Sequence, residues 1–110
     1  MKIVMVHNMK QENNIQSNPL DNYSQIYSIT TRGCEGCATL DRLIEEALNI
    51  TTKKVVYTKQ DFTEVDKKWL KQHNVFDYPT TFLIKNDVIR HKFIGTRPAI
   101  VIARWIDVHL

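Results

Sequence analysis

Apolar residues fall in two different rhythms along this chain. Leu40, Leu43, Ile44, Ala47 and Leu48 recur at i, i+3, i+4, i+7 and i+8, with Asp41, Arg42, Glu45 and Glu46 on the other side. That is one apolar stripe of a helix, and it predicts a helix over 34–49. Short runs rich in β-branched and aromatic residues predict strands at 3–6, 25–30, 54–58, 80–84 and 88–93. Asn86-Asp87 between the last two supplies hairpin turn chemistry. A second helix is expected over 63–73, with Thr63 and Asp66 as a capping box and Val65, Trp69 and Leu70 as its buried face. Pro98 opens a last helix with Val101, Ile102, Trp105 and Ile106 toward the core. The stretch 8–25 carries five asparagines and reads as a connection, with one helical turn starting at Asn18-Pro19. The predicted order is β, a weak α, then β, α, β, α, β, β, α. Such alternation implies an α/β architecture, a central sheet flanked by helices on both faces, and the closing hairpin makes that sheet mixed.

Composition narrows the class. A length of 110 residues fits a single domain over 1–110, and 43% hydrophobic with 25% charged residues is an ordinary globular mixture. The net charge of +3 is spread in pairs such as Lys53-Lys54 and Lys67-Lys68, so specific nucleic-acid binding is not expected. The apolar stretch 3–6 is too short for a signal-peptide core, and no run is long enough to span a membrane. A soluble monomer in the reducing cytoplasm is the expectation. Two cysteines cannot build a disulfide scaffold or fill a four-thiolate zinc site.

Those two cysteines are Cys34 and Cys37, placed where a strand ends and a helix begins. A helix N-terminus offers unpaired N–H groups and the positive dipole end, both of which favour a thiolate. The thiolate is the nucleophile of disulfide exchange. Two intervening residues let the second sulfur reach the first, so Cys34 attacks and Cys37 resolves. Two other readings of the pair stay open on residues alone: small buried core side chains, or half of a zinc site shared between chains. None of His7, His73, His91 and His109 stands at a zinc-finger spacing from the pair. The second feature is Tyr78-Pro79-Thr80 at the start of a strand, where proline cannot donate to the ladder. Composition alone favours an ordinary trans bond there.

Together these residues resemble the thioredoxin family. The resemblance covers 25–110 and rests on the strand–CxxC–helix unit, His73-Asn74-Val75 followed by Tyr78-Pro79-Thr80, and Phe82-Leu83-Ile84-Lys85-Asn86 leading to Gly95 and a final helix. It implies the thioredoxin fold, a protein-disulfide oxidoreductase with Cys34 and Cys37 as its catalytic dithiol, no cofactor, and a cis Pro79 facing the sulfurs. It implies a substrate groove formed by Glu35, Gly36, Tyr78, Pro79 and Gly95. The implied partners are a disulfide-containing client and an electron donor, either a thioredoxin reductase or a glutathione system. The abundance of Asn, Lys and Ile suggests an AT-rich phage or low-GC bacterium, for which ribonucleotide reductase would be a client.

The chain departs from the family pattern at several points. Gly33-Cys34-Glu35-Gly36-Cys37 stands where the family has Trp-Cys-Gly-Pro-Cys. Ser28 occupies the position of the family's buried acid, and either Lys59 or Tyr57 lies near that of its lysine. Glu35 disfavours a thiolate at Cys34, Arg32 offsets it, and the helix end still favours it. Cys34 is therefore expected near the ordinary thioredoxin range rather than that of a strong oxidant. Two alternatives accompany the reductase reading. A glutaredoxin-like enzyme would use glutathione, although that family carries Pro-Tyr between its cysteines and a late Gly-Gly pair. A non-enzymatic module would keep the fold to bind a partner.

Overall fold

The computed structural model describes residues 23–110. The predicted strand at 3–6 and the turn at Asn18-Pro19 lie outside them. The described elements are β1 (Ser24–Thr30), α1 (Glu35–Ile50), β2 (Val56–Asp61), a 3-10 turn (Phe62–Glu64), α2 (Lys67–Gln72), β3 (Thr80–Lys85), β4 (Val88–Ile94) and α3 (Ala99–His109). The four strands form one sheet in the order β2-β1-β3-β4. β1 runs parallel to β2 and antiparallel to β3, and β3 pairs antiparallel with β4. The sheet is mixed, as the closing hairpin predicts.

Alternation along β1 and β3 sends successive side chains to opposite faces. Ile26 and Leu83 meet Leu40, Ile44 and Ala47 of α1 and Ile102, Ala103 and Ile106 of α3 on one face. Ile29 and Phe82 meet Leu70 and Val75 on the other, with Trp69 and Tyr27 packed against them. Both faces of the sheet are thus covered. Burying a large aliphatic side chain stabilises by about 1.5–3 kcal/mol. Ile26, Ile44, Leu83, Ile102 and Ile106, all fully buried, anchor the first of these cores.

Two elements differ most from the sequence-based expectation. β2 starts at Val56 and runs to Asp61 because its partner β1 sets its length, in a register from Gln25↔Val56 to Thr30↔Asp61. The helix expected over 63–73 is divided. Asp61 accepts the Thr63 N–H and caps the 3-10 turn, while Asp66 accepts the Lys68 N–H and caps α2. Thr63 and Asp66 therefore form no capping box. Two aspartates each begin their own turn, and Val65 between them is extended. The Asn86-Asp87 turn is realised, both residues having positive φ as a tight hairpin turn requires.

Candidate active site

Cys34 is the N-cap of α1, with extended backbone before the first helical residue. Its sulfur accepts the backbone N–H of Cys37 at 3.0 Å and is joined to Cys37 in a disulfide. The preceding Gly33 has φ +65°, a conformation that costs an L residue with a Cβ about 1–2 kcal/mol. Glycine here turns the chain from β1 into the helix and leaves nothing within 4 Å of where a Cβ would lie. Both sulfurs belong to half-buried residues, and Glu35 projects into solvent from the first turn.

The Pro79 segment closes over this helix tip. The Tyr78–Pro79 peptide is cis, as the resemblance implied. The Cys34 sulfur lies 3.9 Å from the Tyr78 carbonyl oxygen. A Cβ on Gly36 would stand 3.6 Å from Pro79 Cδ, so Gly36 faces the proline directly. The Gly95 N–H donates to the Pro79 carbonyl at 2.9 Å, which fixes Gly95 beside the proline. Cys34, Gly36, Tyr78, Pro79 and Gly95 are brought together; Glu35 stands at their rim. Arg32 bears on Asp61 and helps, after the Thr63 hydrogen bonds, to hold that carboxyl below its ordinary value.

Three features were not apparent in the sequence. Phe62 packs on Tyr78 with ring centroids 5.2 Å apart, giving the site an aromatic wall that continues to Leu70, Val75 and the exposed Phe76. Ser28, at the position the resemblance gives to the family's acid, is 1% exposed and shares a 2.8 Å hydrogen bond with the fully buried Thr81, a pair of hydroxyls with no carboxylate. The third is Asp41. It accepts the Tyr57 hydroxyl at 2.8 Å and pairs with Lys59 at 3.1 Å. Burial pushes the Asp41 carboxyl up, but Tyr57 and Lys59 outweigh it and hold it below the ordinary range. Burial and then Asp41 drive the Tyr57 hydroxyl far upward, so it stays protonated. Amphipathic patterning places Asp41 only on a solvated face; its partners come from β2. Lys59 is the ladder partner of Ser28.

A helix-tip dithiol beside a cis-proline strand defines a thiol–disulfide exchange class of site. The thioredoxin family profile matches residues 3–108, and the chain belongs to the thioredoxin family, which is generally one of oxidoreductases. No curated protein matches the sequence. Similar solved structures include a Schistosoma mansoni thioredoxin (15% identity, 96% of this chain and 90% of that one, TM-score 0.68). Another is thioredoxin-2 of a malaria parasite (15% identity, 88% and 90%, TM-score 0.67), described as a component of that parasite's protein secretion machinery. A Halobacterium salinarum thioredoxin variant aligns over 82% of this chain and 77% of that one (17% identity, TM-score 0.68). At these identities the likeness is one of fold. Among the described residues, no cluster of three or more His, Cys, Asp or Glu could hold a metal ion, and no helix is long and apolar enough to cross a membrane.

Proposed function

We propose that this protein reduces protein disulfides through the Cys34–Cys37 dithiol. The observation that carries the reading is Cys34 as helix N-cap, its sulfur bonded by the Cys37 N–H and facing the Tyr78 carbonyl. The N–H and the helix dipole stabilise a Cys34 thiolate. That thiolate attacks one sulfur of a client disulfide. A Cys34–client bond forms and the client's other sulfur leaves as a thiolate. Cys37, deprotonated, then attacks Cys34 Sγ, and the second client sulfur leaves. The client gains two electrons and the protein keeps a Cys34–Cys37 disulfide. A flavoprotein reductase or a glutathione system in a reducing compartment returns the dithiol.

The client segment lies across Gly36, Pro79 and Gly95, where close backbone approach is open. Phe62 and Tyr78 flank its apolar side chains, and Glu35 marks the charged rim. Turbidimetric insulin reduction with dithiothreitol tests the reading. Wild type accelerates precipitation and Cys34→Ser falls to the uncatalysed rate while keeping its far-UV spectrum. Wild-type protein no faster than dithiothreitol alone would sink it.

A further inference from the structure

Resolution requires Cys37 to lose a proton, and Ser28 and Thr81 beneath the site provide no carboxylate to take it. Cys37 opens instead onto a cleft whose lining includes Asp41, Lys59, Asp61 and Glu64. Asp41 is one helical turn beyond Cys37 on the same face of α1. Helical side chains lean toward the N-terminus, so the Asp41 carboxylate covers the turn that holds Cys37. Its position is set from the sheet, by the Tyr57 hydroxyl and the Lys59 ammonium on β2. Asp61 accepts the N–H and hydroxyl of Thr63 on Oδ2, much as Asp41 accepts Tyr57 and Lys59 on Oδ1, but it lies at the end of β2 and not one helical turn from Cys37. Glu64 lies on the 3-10 turn, on neither α1 nor β2. Asp41 and Lys59 side chains are 30% and 50% exposed, so water of the cleft reaches both.

The geometry points to Asp41 as the group that accepts the Cys37 proton during resolution, with Lys59 balancing its charge and Tyr57 fixing its direction. This rests on the reductase reading above. In the step, the Cys37 S–H bond breaks and its proton passes to an Asp41 carboxylate oxygen, directly or through one cleft water. The Cys37 sulfur takes the electron pair and bonds to Cys34 Sγ. The Cys34–client S–S bond breaks and the client sulfur leaves with its electrons. Asp41 then returns the proton to solvent. The carboxyl is ionised at neutral pH, held so by Tyr57 and Lys59 against the opposing effect of burial, and both partners bond to Oδ1, which leaves Oδ2 to take the proton.

Stopped-flow reaction of the reduced protein with 5,5′-dithiobis(2-nitrobenzoate) separates the two attacks. The first thionitrobenzoate released reports Cys34 attack and the second reports Cys37 resolution. Asp41→Asn should leave the first phase within about twofold of wild type and slow the second about a hundredfold at pH 7, the low end for a positioned proton acceptor. That deficit should close as pH rises above the thiol's own titration, where hydroxide suffices. Asp41→Glu should restore most of the second phase. The other titratable groups that line the cleft, Lys59, Asp61 and Glu64, are unchanged in these variants, as are Tyr57 and the Glu45 whose charge acts on it. A second phase unaffected in Asp41→Asn, or a loss that is equal at pH 7 and 9.5, or an equal loss in both variants, overturns the proposal. Absence of a first phase in wild type instead overturns the reductase reading itself.

Discussion

Gly33 and Gly36 flank Cys34 and answer to different constraints. Gly33 has positive φ and open space around it; Gly36 is helical and faces Pro79. Gly33→Ala should therefore cost about 1 kcal/mol of stability in urea unfolding, from backbone strain alone. Gly36→Ala should leave stability unchanged or raise it by about 0.5–1 kcal/mol, since alanine is the better helix residue and its Cβ meets Pro79 at an ordinary distance. It should nonetheless slow insulin reduction several-fold, because the methyl occupies space between the sulfurs and the proline that a client must enter. Equal activity in Gly36→Ala and wild type would show that the client does not pass over this residue.

The short elements after β2 depend on caps more than on their own propensity. α2 has six residues, too few to be stable alone, and its first turn is closed by the Asp66 carboxylate. Asp66→Ala should cost about 1 kcal/mol, the usual worth of an N-cap. Thr63→Ala should cost less, since the Thr63 N–H that Asp61 accepts survives the change. The opposite ranking in chemical denaturation would restore the capping box that spacing alone predicted. That misplacement has a physical origin. Thr63-x-x-Asp66 has a plausible box spacing, but Asp61 captures the Thr63 amide two residues earlier and ends the first turn at Glu64. Competition among nearby aspartates for the same amides is decided by the backbone path from β2. The long helix α1 met no such competition, and its apolar stripe predicted its extent to within a residue.

Across the whole molecule, α3 docks against the β3–β4 hairpin through a stack of rings. His91 lies parallel to His109 at 4.8 Å and against Trp105 at 4.4 Å. The Arg97 guanidinium lies over Phe93 and Trp105. Burial first, then the charges of His109 and Arg97, push the His91 titration below its ordinary 6.5. The unfolded chain then binds a proton more readily than the folded one. Stability should be full above the unfolded value and fall as pH drops through 6.5 toward the lower folded value. Thermal unfolding of His91→Phe, which keeps a ring in the stack, should lose that slope between about pH 7 and 5. A variant as pH-dependent as wild type in that window would assign the slope to other groups.

Features carried by residues within a turn or two of each other are legible along the chain. The α1 stripe, the Cys34–Cys37 spacing at a strand-to-helix junction and the Asn86-Asp87 hairpin are of this kind, because helix period, capping and turn chemistry are local interactions. The groove around Pro79 was reached through resemblance, since strand propensity does not say what a proline faces. Other features arise from pairings between distant segments. Ser28 finds Thr81 across 53 positions, Tyr57 finds Asp41 across 16, and Phe62 meets Tyr78 from a turn that follows β2. Each depends on the register of β1 with β2 and β3, which shifts every side chain to the other face if displaced by one residue. A solvated aspartate and a buried serine have ordinary identities in one dimension. The sheet register and the lean of α1 over it are what set a carboxylate beside Cys37 and a pair of hydroxyls beneath the site.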